Sequence, residues 1–285
     1  MKEIERSKVH KFHRLLFTWY ERHQRHLPWR ETHDPYKILV SEVMLQQTQV
    51  SRVIPKYLAW IKQYPTAASL AGASAADILR LWSSLGYNRR AIYLKRAAVI
   101  IADKWNGRWP QTISELTKLP GVGRYTAGAI LSFAFGKDVP LADINMSRVI
   151  GRIFVGPDWP KLSEKQMLGV IEKVLPQKKS RIFPHAVMDL GSALLANDPS
   201  LAEWRKEFPE LFVADRRKST KKESWQGSNR QIRGAILRRL QQKPSTTKKL
   251  ADDLAVPISR LAELIKALHR DGLVHKVNNT VSLPL

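Results

Sequence analysis

The sequence predicts an all-α protein that ends in a small domain of three helices and a β-hairpin. Up to about residue 200, apolar residues recur with helical spacing, as in "ILRLWSSLGY" and "IYLKRAAVIIADKW", while strand-like alternation is almost missing. Turn signals such as "KQYPTA", "NGRWPQT" and "VGPDWP" separate helices of ordinary length. The 285 residues, of which 44% are hydrophobic, suffice for two domains and at least one sizeable core.

The chain is strongly basic, with 48 Lys and Arg residues against 25 Asp and Glu residues and a net charge of +23. Solubility alone needs far less charge, so a polyanion such as nucleic acid is the expected partner. A basic surface that is merely solvated is the alternative.

Cysteine is absent, which excludes disulfides, thiolate metal sites and cysteine-ligated iron–sulfur clusters. The start of the chain, "MKEIERSKVHKFHRLL", has no apolar run of the signal-peptide type. No later stretch reaches the roughly 20 apolar residues that a membrane span needs. We therefore expect a cytoplasmic protein, associated with the nucleoid in a bacterium, and no membrane partner.

One boundary divides the chain. Residues 1–204 form the expected helical domain, and the charged residues 205–227 form the expected linker. Within residues 228–285, "SNRQIRGAILRRLQQ", "TTKKLADDLA" and "ISRLAELIKALHRDG" predict three short helices, and "LVHKV" and "TVSL", joined through Asn278 and Asn279, predict a β-hairpin. Three helices and a hairpin describe a winged helix that binds DNA. A basic packing module without DNA contact is the alternative.

Residues 119–128, "LPGVGRYTAG", predict a helix-hairpin-helix motif. Pro120 ends one helix, Gly121 and Gly123 permit backbone angles and close approaches denied to other residues, and "YTAGAILSFAF" starts the next helix. The backbone of Gly121, Val122 and Gly123 is then able to bind a DNA phosphate without sequence preference. A plain turn between two helices is the alternative.

Two carboxylates stand out in helical segments. Glu42 lies in "ILVSEVMLQQTQV" among apolar residues, so it either faces solvent or is held in apolar surroundings that raise its pKa. Asp143 and Asn145 begin the helix of "PLADINMSRVI", where Asp143 is either an N-cap or a functional carboxylate.

These stretches together resemble the adenine DNA glycosylases, the MutY family of helix-hairpin-helix base-excision glycosylases. "LPWR", "PYKILVSEVMLQQTQV", "LWSSLGY", "LPGVGRYTAGAILSFAFGK", "LADIN" and "MDLGSALL" follow in the order and approximate spacing of that family. The resemblance covers roughly residues 8 to 200. It implies a helix-hairpin-helix glycosylase fold and release of a base from DNA.

The resemblance also implies a role for individual residues. Glu42 matches the general acid and Asp143 the catalytic aspartate of the family. Tyr125 and Asn145 match residues that position this aspartate and the water of the reaction. In related lyases the position of Tyr125 holds a lysine that forms a Schiff base, so the chain resembles a monofunctional glycosylase that hydrolyses with water.

Four further residues match groups that contact the mispair. Gln47 and Tyr87 match side chains that are inserted into the duplex beside the mispair. Trp29 and Arg30, in "LPWR", match residues that line the pocket for the flipped base. Extrusion of the base costs a few kcal/mol, and inserted side chains brace the gap that it leaves.

The chain departs from the family in several places. The four cysteines that usually hold an iron–sulfur cluster after "MDLG" are missing, so we expect no cofactor and no metal, with Leu195 and the residues after it packing in place of the cluster. The usual C-terminal domain that resembles nucleotide hydrolases is replaced by a shorter one. Ile144 stands where the family has glycine, and Asn88 where it has a second tyrosine.

The resulting hypothesis is a monomeric enzyme of base excision repair that binds double-stranded DNA containing a mispair. It hydrolyses the N-glycosidic bond of adenine opposite guanine or 8-oxoguanine. One alternative is a thymine or uracil glycosylase specific for mismatches, and another is a DNA-binding protein without catalysis on the same fold.

Overall fold

Helices dominate the computed structural model, which describes residues 4–214 and 226–284. In chain order the α-helices are α1 (Arg6–His23), α2 (Pro35–Leu45), α3 (Val50–Gln63), α4 (Ala67–Ala71), α5 (Ala75–Trp82), α6 (Arg89–Val99), α7 (Ile113–Leu116), α8 (Arg124–Phe135), α9 (Ile144–Phe154), α10 (Glu164–Val174), α11 (Ile182–Leu195), α12 (Ala202–Glu207), α13 (Asn229–Gln242), α14 (Thr247–Leu254) and α15 (Ile258–Arg270). The strands are β1 (Ser245–Thr246), β2 (His275–Val277) and β3 (Thr280–Ser282). The prediction of a helical protein with a small C-terminal hairpin is confirmed.

The chain folds into two compact units that do not follow the sequence boundary. The described residues of the first unit come from Met1–Ile38, Gln111–Thr117 and Val122–Ser219. Those of the second unit come from Leu39–Pro110, Lys118–Gly121 and Thr220–Leu285. No described helix is both long and apolar enough to cross a bilayer.

An aromatic cluster forms the centre of the first unit. The Phe12 ring of α1 makes edge contacts with Phe154 and Phe183, whose ring centroids lie 5.4 and 6.4 Å away. Trp204 and Phe208 approach the same ring at 5.8 and 6.1 Å. Helix α11 packs against both α1 and α9, so the cluster fixes α9 relative to the rest of the unit.

The expected linker begins later than residue 205. Helix α12 runs to Glu207, and a 3₁₀ turn follows over Pro209–Phe212. Phe208 and Leu211 are buried, so apolar side chains hold this segment in the first unit despite its charged composition. Residues 215–225 of the expected linker lie outside the described residues.

The second unit has a core of its own around two tryptophans. Trp60 of α3 and Trp82 of α5 are fully buried, with ring centroids 5.5 Å apart. Helix α6 packs against α4 and α5 on this core. The indole N–H of Trp82 donates to the carbonyl of Gly86 at 3.0 Å, which ties the loop after α5 to the core.

The C-terminal part has the predicted winged-helix arrangement. Helices α13, α14 and α15 pack together around buried leucines and isoleucines. Strand β3 lies between β1 and β2 and is antiparallel to both. Asn278 adopts the left-handed conformation, with φ of 50°, in the turn between β2 and β3. The two-residue strand β1 was not predicted, because two residues are too few to produce an alternating pattern.

Candidate active site

Glu42 is a buried acidic residue. It lies in the third turn of α2 with 8% of its surface exposed, and the flanking Val43 is 4% exposed. The sequence left open whether Glu42 faces solvent or lies in apolar surroundings. In the structure it is buried. A buried carboxyl group is a suitable proton donor where a neighbouring ligand accepts the proton.

Asp143 is both an N-cap and a perturbed carboxylate. Its Oδ1 accepts a hydrogen bond from the backbone N–H of Met146 at 2.6 Å, in the first turn of α9. Burial raises the pKa of Asp143, while hydrogen bonds from the N–H groups of Met146 and Asn145 and the charges of Arg148 and Arg25 oppose that rise. The helix N-terminus and two arginines thus support a carboxylate in a largely desolvated position.

Asn145 lies two residues beyond Asp143 at a very close helix contact. Its Oδ1 accepts a hydrogen bond from Nη1 of Arg148 at 2.9 Å. A Cβ atom built on Gly191 of α11 would come within 2.7 Å of the Asn145 Cβ. The glycine of the "MDLG" motif therefore lets α11 approach the start of α9, which fixes the positions of Asp143 and Asn145.

Tyr125 is the second residue of α8 and is half-buried. The hairpin that precedes it needs glycine at one position only. Gly121 has φ of +78°, and a Cβ there would come within 3.0 Å of Tyr93, whereas Gly123 has φ of −88°. Of the two roles expected for these glycines, an unusual backbone angle and a close approach, Gly123 does not have the first. A Cβ atom built on Gly123 would have no neighbouring atom within 4 Å. The absence of a side chain there leaves the N–H groups at the start of α8 accessible.

Arg30 is engaged by a buried carboxylate. Its Nη1 and Nη2 donate to the two carboxylate oxygens of Asp189 at 2.7 and 2.8 Å. Arg25 adds its backbone N–H at 3.0 Å and its Nε at 2.6 Å to the same carboxylate. Asp189 is 2% exposed and Trp29 is 6% exposed, so both lie inside the protein.

Sequence reasoning missed Arg25 and Asp189 as parts of this site. The available signal was a single acid on the otherwise apolar helix "IFPHAVMDLGSALL", because a buried carboxylate requires a cationic partner. Arg25 also acts on Asp143, since its charge opposes the rise in the pKa of that carboxyl group. Arg25 thus acts on both Asp189 and Asp143.

A cavity of about 380 Å³ adjoins the arginine cluster. Arg25, Arg30, Arg181 and His185 are among the residues that line it. The His185 ring stacks on Phe133 with centroids 4.2 Å apart. Burial, together with the charges of the three arginines, holds the pKa of His185 well below its usual value, so the imidazole is neutral at pH 7.

Gln47 and Tyr87 lie at loop positions with unusual backbone conformations. Their φ angles are 54° and 47°, in the left-handed region, and Ser84 in the second loop has φ of 78°. Such conformations cost about 1–3 kcal/mol at residues other than glycine unless the surroundings enforce them. Gln47 is exposed and Tyr87 is half-buried, so both side chains are presented at the surface of the second unit.

Arg90 enforces both loop conformations. Its Nη1 donates to the carbonyl oxygens of Val43 at 2.7 Å and Gln46 at 2.6 Å, at the C-terminal end of α2. Its Nη2 donates to Thr48 Oγ1 and to Gly86 O, both at 3.1 Å. Desolvation by burial lowers the pKa of Arg90 to about 10, which leaves it protonated at pH 7. One guanidinium group therefore fixes the loops that carry Gln47 and Tyr87, a role that the sequence pattern did not indicate.

The predicted residues are divided between the two units. Trp29, Arg30, Tyr125, Asp143 and Asn145 belong to the first unit together with Val122 and Gly123, and Glu42, Gln47, Tyr87 and Gly121 belong to the second. Ile144, at the family's glycine position, is 49% exposed. Asn88 is half-buried and directly precedes α6.

Comparison with known proteins assigns the family. A family model described as "HhH-GPD superfamily base excision DNA repair protein" matches residues 40–173. The adenine DNA glycosylase of Mycolicibacterium smegmatis is 37% identical over 274 residues, which cover 92% of this chain and 92% of that protein. The chain belongs to the adenine DNA glycosylase family. The adenine DNA glycosylase of Mycobacterium tuberculosis is 35% identical, over 94% of this chain and 92% of that protein. The human adenine DNA glycosylase is 38% identical, over 66% of this chain and 36% of that protein.

Solved structures share the fold of this adenine DNA glycosylase family member. A thermostable thymine-DNA glycosylase has a TM-score of 0.62 and 30% identity, covering 68% of this chain and 90% of that chain. Endonuclease III in a non-covalent complex with DNA has a TM-score of 0.54 and 23% identity, covering 63% of this chain and 84% of that chain. The predictions of a helix-hairpin-helix glycosylase fold and of an enzyme of base excision repair are confirmed.

The residues after α11 do not fit the iron–sulfur cluster that the resemblance implies. The chain has no cysteine to supply thiolate ligands. Leu201, Trp204 and Phe208 are instead buried there, and the two aromatic rings pack on Phe12. The expectation that Leu195 takes part in this packing is wrong, because 63% of its surface is exposed at the end of α11.

Proposed function

We propose that this adenine DNA glycosylase family member removes adenine that is mispaired with guanine or 8-oxoguanine in double-stranded DNA, acting as a monomer in the cytoplasm. The observation that carries the proposal is Glu42, a buried acid at the position of the family's general acid. A proton donor suits a purine, because adenine carries a ring nitrogen, N7, that accepts the proton, and a pyrimidine has no N7.

The reaction breaks the bond between C1′ of the sugar and N9 of adenine. Glu42 donates a proton to N7, and the electron pair of the broken bond moves to the base, which leaves as neutral adenine. The ionised form of Asp143 stabilises the positive charge on the sugar, as the second carboxylate does in glycoside hydrolysis. Water adds to C1′ and passes its proton to the carboxylate that Glu42 has become, which restores the acid, completes hydrolysis and leaves an abasic site.

The remaining residues position the reactants. Asn145 orients the attacking water, and Tyr125 supports Asp143 without forming a covalent bond, because a phenol has no amine to form a Schiff base. Trp29 lines the pocket of the flipped base. Arg30 acts on that pocket through Asp189, since both of its Nη atoms are bound to that carboxylate.

Binding to the duplex is assigned to the exposed loops and to basic surfaces. Gln47 and Tyr87 brace the gap that the extruded nucleotide leaves. The backbone from Gly121 to Gly123 binds a phosphate of the DNA, with the N–H groups of α8 accessible beside Gly123. The winged-helix part adds further phosphate contacts through its basic residues.

A second candidate substrate is thymine or uracil opposite guanine. The likeness to the thermostable thymine-DNA glycosylase, with 30% identity, favours it. Single-turnover assays on A·G, A·8-oxoguanine, A·C, T·G and U·G duplexes, each followed by alkaline cleavage, separate the two. We expect strand breaks at adenine in the first two duplexes. Release of thymine or uracil without adenine overturns the proposal in favour of the second candidate.

A further inference from the structure

A cavity of about 990 Å³ lies within the second unit, between the loops of Gln47 and Tyr87 on one side and α13 on the other. From the loops it is lined by Gln47 and Tyr87, and from α13 by Arg230, Gln231 and Arg238. Its volume is in the range of small-molecule sites and is large enough for one nucleotide. In the function proposed above, the basic residues of the winged-helix part contribute phosphate contacts only, and no residue of α13 reads a base.

Helix α13 is held in place beside the loops by polar contacts along its length. Arg233 forms an ion pair with Asp271 at 2.5 Å, and Arg89, which follows the Tyr87 loop, lies 3.6 Å from the same carboxylate. Towards the other end of the helix, Nε2 of Gln241 donates to the carbonyl of Leu79 at 3.1 Å. The wall formed by α13 is therefore a fixed part of the second unit.

Arg230 lies directly on the side chain that is assigned to the gap in the duplex. Its guanidinium carbon is 4.0 Å from the centroid of the Tyr87 ring, closer than that of Arg90, which lies 5.4 Å away. Arg90 is fixed by the carbonyl groups of the two loops, whereas Arg230 is an exposed residue in the first turn of α13. A nucleotide beside Tyr87 thus meets the planar face or the N–H edge of Arg230.

The chemistry of the lining matches a nucleotide of the opposite strand. Guanidinium groups bind phosphates and donate to guanine O6 and N7, and glutamine amides donate to and accept from base edges. Among the described residues of the lining, the one acid is Asp271, and it is paired with Arg233. The cavity therefore presents donors and positive charge to whatever enters it.

We propose that this cavity holds the nucleotide opposite the extruded adenine, and that Arg230 selects a guanine-type base there by donating to its O6 atom. The inference rests on the proposed function and adds a specificity-determining residue to it. It also gives the C-terminal part a second task beside the phosphate contacts proposed above.

The test compares Arg230→Ala with Arg239→Ala in the full chain. Arg239 is an exposed arginine of the same helix that does not line the cavity, so its variant removes the same charge. Single-turnover adenine release is measured opposite guanine, 8-oxoguanine, cytosine and an abasic site. We expect Arg230→Ala to slow release opposite guanine and 8-oxoguanine roughly 5- to 150-fold, with little change opposite cytosine or the abasic site. Arg239→Ala is expected to change all four rates equally.

A binding measurement separates failure of this inference from failure of the proposed function. The duplexes carry a tetrahydrofuran abasic analogue in place of the adenosine, so binding to them needs no base release. The Kd of a duplex with guanine opposite the analogue is compared with the Kd of a duplex with cytosine opposite it. Wild type prefers guanine, and Arg230→Ala loses that preference. Arg230→Lys loses it too, because an ammonium group keeps the charge without the planar fork. A preference that survives in both variants, or an equal loss of affinity for both duplexes, overturns the assignment of Arg230 even when adenine release is normal.

Discussion

Gly191 and Asn145 are in such close contact that no other residue fits at position 191 without displacement. A Cβ at Gly191 would lie 2.7 Å from the Asn145 Cβ and 3.2 Å from its Cα. Helix α9, which begins at this contact, also carries the N-cap Asp143. The glycine in α11 therefore controls the position of two residues assigned to catalysis.

Gly191→Ala is expected to displace the start of α9 and to slow adenine release more than it weakens DNA binding. Overpacking of this kind costs about 1–3 kcal/mol of folding free energy. Gly169→Ala in α10 is the matched control, because a Cβ there meets nothing within 4 Å. The control is expected to keep its activity and to gain about 0.5–1 kcal/mol, as a helical glycine replaced by alanine does. Thermal unfolding and single-turnover rates measure both effects, and normal activity in Gly191→Ala contradicts the positioning argument.

Glu42→Gln is expected to slow base release by about 10²–10⁴-fold, because glutamine fills the same buried space but has no proton to donate. Binding to a mispaired duplex should stay close to that of wild type. Glu172→Gln, at an exposed position of α10, serves as the control and should behave as wild type. Normal turnover of Glu42→Gln shows that another group protonates the base.

Asp143→Asn is expected to abolish adenine release while making the protein more stable at neutral pH. Burial raises the pKa of Asp143 in the folded state, so the ionised carboxylate that exists at pH 7 costs folding free energy. Asparagine keeps the N-cap hydrogen bond without the charge. The difference in Tm between the variant and wild type should shrink as the pH falls through the raised pKa of Asp143. It should vanish below the ordinary pKa of aspartate, where the carboxyl group is protonated in the folded and the unfolded protein.

Asp198→Asn is the control, and its expected change in Tm at pH 7 is opposite to that of Asp143→Asn. Hydrogen bonds from Ser200 lower the pKa of Asp198, so its ionised form stabilises the fold above the ordinary pKa of aspartate. Its replacement should lower Tm at pH 7 and leave the activity unchanged. A Tm of Asp143→Asn below that of wild type at pH 7 means that the contacts of the carboxylate outweigh its burial.

Wild-type protein is expected to form no covalent complex with DNA when borohydride is present. Tyr125 stands at the position where lyases carry an amine, and only an amine gives a Schiff base that borohydride reduces. Strand breaks should then require added alkali. A lyase of the endonuclease III type provides the positive control for trapping, and an efficiently trapped adduct would show that one of the lysines attacks the sugar.

Purified protein is expected to be colourless, with a Tm that a chelator does not change. Without cysteine, the segment after α11 has to be held by apolar packing around Trp204, which is fully buried. Trp204→Ala should therefore destabilise the protein by about 3–5 kcal/mol. Absorption in the visible range or a Tm that falls with chelator is the opposing result.

The sequence alone determined the local and chemical features of this protein. Apolar spacing predicted the helices, the paired turn residues predicted the hairpin of β2 and β3, and the motifs around Glu42 and Asp143 indicated the family. These signals are local, because helix periodicity, turn chemistry and motif spacing depend on residues that are near each other in the chain.

The tertiary structure decided what depends on contacts between distant residues. In the sequence, Asp189 is one acid on an apolar helix. The structure shows that Arg25 and Arg30, more than 150 positions away, both bind its carboxylate. In the sequence, Arg230 is likewise one basic residue among many. The structure places its guanidinium group over the ring of Tyr87. Charge alone does not say whether an arginine meets solvent, a carboxylate or an aromatic ring, because that depends on which distant segments the packing of the core brings beside it.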